Sequence, residues 1–158
     1  MNAPSLAPAA IESPNPAETG GPIAGFARLV ALLTLGLGVL GLVPGITSNY
    51  SEMGFYDSGA NLFGLFRTSV VVASAQILFG VTILTFSGSA RQAHKTVVWV
   101  ALTYLCAGLG GAGLMVNAVR DDLPVNAASN WLHLALFAVI LGGAVAARRK
   151  HVEQLGVY

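Results

Sequence analysis

The chain has 158 residues and a net charge of +1; 54% of it is hydrophobic and only 9% charged, against roughly 25% charged residues in an ordinary soluble domain. So few charges cannot cover a water-facing surface, which excludes a soluble globular domain. A basic cluster occurs only near the C-terminus, so the electrostatic footprint of a nucleic-acid binder is missing as well.

Residues 1–22 hold five of the seven prolines, interspersed with Ala, Ser and Gly, and predict a disordered tail rather than a core. A basic segment ahead of an apolar stretch is absent, which argues against a cleaved signal peptide. Four apolar blocks follow, each near the roughly 20 residues that cross a bilayer as helix. The first is predicted over 23–43, interrupted by Arg28, whose long side chain can carry its charge to the headgroups, and stopped by Pro44-Gly45. The second is expected over 66–86, with Arg67 at its start and Gln76 near its middle. "SGSARQAHK", Ser87 to Lys95, reads as a short polar turn. The third covers 97–116 and breaks at "NAVRDDLPVN". The fourth covers 129–147, with Asn126, Ser129 or Asn130 as its N-cap, and closes on Arg148-Arg149-Lys150 in a basic tail, 148–158. The expected fold is all-α, a four-transmembrane-helix bundle.

Lys and Arg near the span ends set the orientation. With four spans, one side collects Arg28, Arg91, Lys95, Arg148, Arg149 and Lys150, and the other only Arg67 and Arg120. Both termini are therefore expected in the cytoplasm of a multi-pass cell-membrane protein. The outer loops carry Glu52, Asp57, Asp121 and Asp122, together with Tyr50, Phe55, Tyr56 and Trp131. The aromatic residues suit an interfacial belt, with Trp131 as the anchor of the fourth helix.

Helices in lipid associate by close approach across small residues. The pairs Gly41 and Gly45, Gly108 and Ala112, Gly142 and Ala146, and Gly143 and Ala147, with Gly110 and Gly111 in "GLGGAG", are expected at helix contacts. Packing within the bundle is a simpler reading of these glycines than a dimerisation surface or a lipid groove.

Intramembrane polar residues are functional candidates. Gln76 is the deepest, with Ser74, Thr103 and Tyr104 as its candidate partners and an interhelical hydrogen bond as its simplest role. His133 is expected near the outer interface, on one stripe with Asn126, Asn130 and Phe137, where Arg67 and the outer acids are its candidate neighbours. This stripe reads as a hydrogen-bonded clasp between the fourth helix and the first outer loop. His94 and His151 lie at the opposite side and cannot complete a metal or haem site with His133. Cys106 stands alone and is expected to be a small buried hydrophobe. No nucleophile elbow, phosphate loop or paired-carboxylate arrangement occurs, and "GLGVLG", Gly36 to Gly41, lies inside a span without lysine. No cofactor and no catalytic set is expected.

"GVLGLVPGITSNY", "LFGLFRTSVV", "ILFGV" and above all "LPVNAASNWLHLAL" resemble a family of small bacterial four-helix membrane proteins, catalogued as domain of unknown function four-three-eight-three. The resemblance runs from about Phe26 to Ala147 and implies four spans without an established activity. It also implies that the second helix often carries two histidines four apart before "LFG". The matching positions here are Val72 and Gln76, which weakens a metal or haem role for His133.

Two functional classes remain open, of which the first is preferred because small size, the missing catalytic set and the elaborated outer face all fit it. One is a structural or accessory membrane protein that binds other integral membrane proteins, or a copy of itself, through glycine-lined faces within the lipid bilayer. The other is a transporter or enzyme for a small molecule, lipid or quinone, with an outward-facing polar site near His133.

Overall fold

The computed structural model describes residues 21–56, 58–116, 125–154 and 156, with the backbone alone for 114–116. The expected tail over 1–20 and the residues Asp57, Arg120, Asp121 and Asp122 lie outside the described residues. Four helices carry the fold: α1 (Gly21–Gly41), α2 (Val70–Thr85), α3 (Ala90–Val116) and α4 (Ala127–Gln154). Three are long and apolar enough to cross a membrane, namely α1, α3 over Ala90–Gly113, and α4; α2 is a shorter apolar helix of 16 residues. At about 1.5 Å of rise per residue α2 is about 24 Å long, short of the roughly 30 Å hydrocarbon core. The helices are those of a small membrane protein. They alternate in direction and pack around small side chains, with Ala27, Ala31, Ala101 and Ala144 buried beside Ile83, Val97 and Ile140.

Most helix boundaries differ from their sequence expectations for a local reason, while α3 is described to Val116, its expected end. α1 begins at Gly21 rather than 23, because Pro22 sits in the first turn, where its missing N–H costs no intrahelical bond. It ends at Gly41 rather than 43. There the "PGIT" turn closes it: Gly45 takes φ +91°, and the Thr47 hydroxyl reaches back to the carbonyls of Leu40 (3.2 Å) and Gly41 (3.0 Å). Tyr50 donates its hydroxyl to the Leu42 carbonyl at 3.0 Å. These bonds satisfy carbonyls that the helix end would otherwise leave free.

The first connection contains β-structure that a purely helical expectation omits. β1 (Thr47–Ser48), β2 (Asn61–Leu62) and β3 (Phe66–Arg67) form a small antiparallel sheet in that order. Register pairs Thr47 with Leu62 and Leu62 with Phe66. Phe63 (φ 52°) and Gly64 (φ 73°) both take left-handed backbone in the β2–β3 hairpin, as a tight hairpin turn demands. Because Phe66 and Arg67 belong to β3, α2 starts at Val70 rather than 66. Its first amides are satisfied by the loop: Val70 N–H donates to Gly54 O (3.2 Å) and Val71 N–H to Phe55 O (3.0 Å). Val72 N–H donates to Oγ of the N-cap Ser69 (3.3 Å).

The polar turn between α2 and α3 is shorter than expected, and α3 starts at Ala90 rather than 97. Ser89 Oγ accepts from Gln92 N–H at 3.4 Å and donates to Gln92 Oε1 at 3.2 Å, an N-cap contact that makes the polar residues a helix start. α4 runs on from the expected 147 to Gln154, so Arg148, Arg149 and Lys150 lie on its last turns rather than in a tail. Gly156, at φ +66° with its N–H on Glu153 O, follows that end.

Candidate functional site

The entry of α4 ties two elements together. Asn126 Oδ1 accepts from Ser129 N–H at 2.8 Å, which makes Asn126 the N-cap among the three residues open to that role. Its Nδ2 donates to the Leu65 carbonyl at 2.9 Å. Ser129 Oγ lies 3.1 Å from Arg67 O and 2.8 Å from Asn126 Oδ1, one hydroxyl between two acceptors. Two α4 side chains therefore hold the backbone of the β2–β3 hairpin and of β3. Arg67 takes part through its carbonyl, while its guanidinium turns away and donates from Nε to Ser58 O at 2.8 Å. Trp131 is 72% exposed, in company with exposed Phe55, Tyr56, Phe63 and Leu65, side chains fit for the membrane interface.

Not every glycine expected at a helix contact is at one. Gly45 lies in the turn beyond α1, where a Cβ would meet nothing, so it serves backbone conformation rather than packing. Gly110 and Gly142 also face open space. Gly41 packs against Ala73 and Thr68. Gly108 admits Leu134, where an added Cβ would stand 2.8 Å from Leu134 Cδ2; Gly111 admits Asn130, and Gly143 admits the ring of Phe26. Sequence reasoning missed the closest approach of backbone to backbone. An added Cβ on Gly38 would lie 2.6 Å from Ala73 O, and one on Gly80 would lie 2.8 Å from Ala31 O, backbone against backbone between α1 and α2. Gly38 is part of "GLGVLG", which the sequence argument treated only as a mistaken nucleotide loop.

α2 and α3, although consecutive, touch far less than α1 and α2 or α3 and α4. A crevice of about 190 Å³ remains between them. Its lining includes Val72, Gln76 and Phe79 from α2, Thr103 and Tyr104 from α3, and His133 from α4. Six residues beyond the first residue of their helices, Gln76 and His133 lie at similar depths, about 9 Å along each axis. The Tyr104 ring meets the His133 ring at 5.7 Å between centroids and the Phe79 ring edge-on at 6.0 Å. His133 thus packs its ring against α3.

Among the described residues, the Tyr104 hydroxyl and His133 Nδ1 are buried without a hydrogen-bond partner. The Gln76 amide, in a residue 7% exposed, has no hydrogen bond to a described residue either. Leaving such groups unpaired away from water costs on the order of 1–3 kcal/mol each. Thr103 and Tyr104, expected as partners of Gln76, share its crevice without bonding it, and Ser74 lies exposed on α2 instead. Val72 and Gln76 are brought into one cavity with His133. Asn126 and Asn130 belong elsewhere, the first to the hairpin clasp and the second to the Gly111 contact. Cys106 is exposed on α3 rather than buried, a consequence of the apolar surroundings that a membrane helix presents outward as well as inward. No group of three or more His, Cys, Asp or Glu able to hold a metal occurs among the described residues.

The family described as "Domain of unknown function (DUF4383)" matches residues 25–146. No curated protein and no solved structure matches the chain.

Proposed function

We propose, from the premise that the chain belongs to the DUF4383 family and that this family has no assigned activity, that it binds a lipophilic small molecule in the α2–α3 crevice. The observation that carries this reading is that Gln76, Tyr104 and His133 all line one cavity whose accessible walls are apolar, with the Tyr104 hydroxyl and His133 Nδ1 buried beneath those walls and without a hydrogen-bond partner among the described residues. Buried polar groups are as a rule hydrogen-bonded, so an occupant with acceptors or donors of its own resolves the deficit. A dry cavity of about 150 Å³ holds a single benzene ring; 190 Å³ therefore fits a head of about one substituted ring. Tyr104 and the Gln76 amide can both donate, which favours carbonyl oxygens on that head. Entry is lateral, since the exposed Thr103 and Ala107 form the rim, and an apolar tail would stay in lipid. The occupant is thus a carbonyl-bearing lipophile, such as a quinone.

This favours the small-molecule reading over the accessory one, and binding over conversion, because neither a carboxylate nor a cysteine lines the crevice and the Thr103 hydroxyl lies on its exposed rim. The orientation that goes with it places both termini in the cytoplasm, on the six-to-two division of Lys and Arg, with the crevice nearer the outer leaflet.

A decyl-substituted benzoquinone titrated into the detergent-purified protein, with binding read by calorimetry, tests the proposal. The expected result is saturable binding that Tyr104→Phe weakens by about three- to tenfold, the loss of one hydrogen bond. Binding that neither Tyr104→Phe nor Gln76→Leu alters, or no binding by a protein freed of co-extracted lipid, would overturn it.

A further inference from the structure

At the opposite, basic end of the bundle, α3 and α4 face each other with matched stripes. On α3, Arg91, His94, Lys95 and Val98 follow the three- and four-residue spacing of one helix face. On α4, Leu141, Val145, Arg148 and Val152 do the same. From Val98 to Arg91 and from Leu141 to Arg148 the two stripes change from apolar to cationic toward the same end, because the helices run in opposite directions. Between them lies a groove of about 530 Å³ lined by His94, Val98, Leu141, Val145, Arg148 and Arg149. A second, open hollow of about 660 Å³, lined by α4 alone and floored by Ala138, Gly142 and Ala146, runs along the other side of the Leu141–Val145–Arg149 ridge. The first groove continues at the end of the bundle into a space of about 420 Å³ that adds Arg91, Lys95 and His151.

Two observations point to an occupant. Among the described residues, Arg91, Lys95, Arg148 and Arg149 enter no ion pair or hydrogen bond, and Glu153 is the one acid along these grooves. His151, 7% exposed, also has an Nδ1 without a partner there. We infer that this end is a binding site for an anionic phospholipid, its phosphate among Arg91, Lys95, Arg148 and Arg149 and its two acyl chains in the grooves on either side of the Leu141–Val145–Arg149 ridge. Charge complementarity names the headgroup: guanidinium forks match phosphate oxygens in pairs, and basic pockets between membrane helices select such lipids. The grooves name the source, since a free phosphate would leave their apolar walls uncovered while a two-chain lipid fills both. From Arg149 to Leu141 the helix rises about 12 Å, enough for the upper half of an acyl chain. The openness of Gly142 has the same explanation: it receives lipid rather than a helix.

The purified full chain is titrated with dioleoyl phosphatidylglycerol, dioleoyl phosphatidylcholine or inorganic phosphate, and its thermal midpoint is followed. The expected result is a saturable rise with phosphatidylglycerol alone. Arg148→Gln with Arg149→Gln should raise the half-saturating concentration about tenfold or more, at the strength of a Lys or Arg near an anionic surface. Arg28→Gln, which removes the same charge from an exposed site on α1 outside the grooves, should leave it unchanged. If the double variant does not fold, Arg91→Gln on the facing helix takes its place, with Val145→Trp to obstruct the groove. Equal responses to the two lipids, an equal response to inorganic phosphate, or the same loss in Arg28→Gln would each overturn the site in favour of bulk attraction or a free anion.

Discussion

The α1–α2 seam and the α2–α3 seam share a helix yet have opposite construction. On one face of α2, Gly80 lies against the Ala31 carbonyl while Ala73 receives Gly38, and backbone meets backbone with no room for a methyl group. On the other face, Val72, Gln76 and Phe79 look across a gap at Tyr104 and His133. Without a hydrophobic drive between helices in lipid, close packing is what holds such helices together. The difference teaches where this bundle is fixed and where it has latitude: α2 is held by α1, so the α2–α3 gap persists without the bundle losing its shape.

The strongest way to break this contrast is to force a side chain into the closed seam. Gly80→Leu or Gly38→Leu must push α1 and α2 apart, because the obstructing atoms are carbonyls and amides rather than flexible side-chain ends. Overpacking of this kind typically costs 1–3 kcal/mol and occasionally more; about 3 kcal/mol is expected here, seen as a large fall in thermal midpoint in detergent. A midpoint within a degree or two of wild type for both variants would mean that the seam is not closed.

The clasp between α4 and the β2–β3 hairpin should give a smaller effect. Asn126→Ala removes an N-cap acceptor and the bond to Leu65 O together. Loss of a cap costs about 1 kcal/mol and up to about 2, so the expected midpoint lies between wild type and the seam variants. Proteolysis at the hairpin should quicken in the same variant. Unchanged proteolysis would show that Ser129, through its contact with Arg67 O, holds the hairpin alone.

Much of this was legible in the chain, and the remainder was not for definable reasons. The four apolar blocks announce four helices because a bilayer leaves little choice of backbone. Their ends are less legible, since Val70 and Val71 begin α2 on carbonyls from Gly54 and Phe55, contacts that no local pattern encodes. Ser89 and Gln92 did carry a capping signal, which their polarity disguised as a turn. Gln76 and His133 stand out from composition alone, but their shared cavity depends on the rotation of three helices. Tyr104, which completes it, is legible in sequence only as one of three candidate partners of Gln76, and it meets the His133 ring rather than bonding that amide. Spacing by four identifies small residues on one face without saying which face is covered. Hence Gly108, Gly111 and Gly143 are at contacts and Gly110 and Gly142 are not.

That last division gives the finest test of the contrast between closed and open faces. Gly110→Ala adds a methyl group where nothing lies within 4 Å, whereas the methyl of Gly111→Ala would meet the Asn130 amide. Alanine is favoured over glycine inside a helix by about 1 kcal/mol in water, a gain open to both variants but opposed by crowding in the second. Gly110→Ala should therefore keep or slightly raise the midpoint, and Gly111→Ala should lower it, by amounts that differ by about 1 kcal/mol or more. The two residues are neighbours with the same local sequence, so helix propensity and lipid exposure along the axis are matched. If both variants shift together, propensity governs this stretch of α3 and Asn130 yields to the added methyl. If they separate with the sign given, the face turned toward α4 decides what a glycine is for.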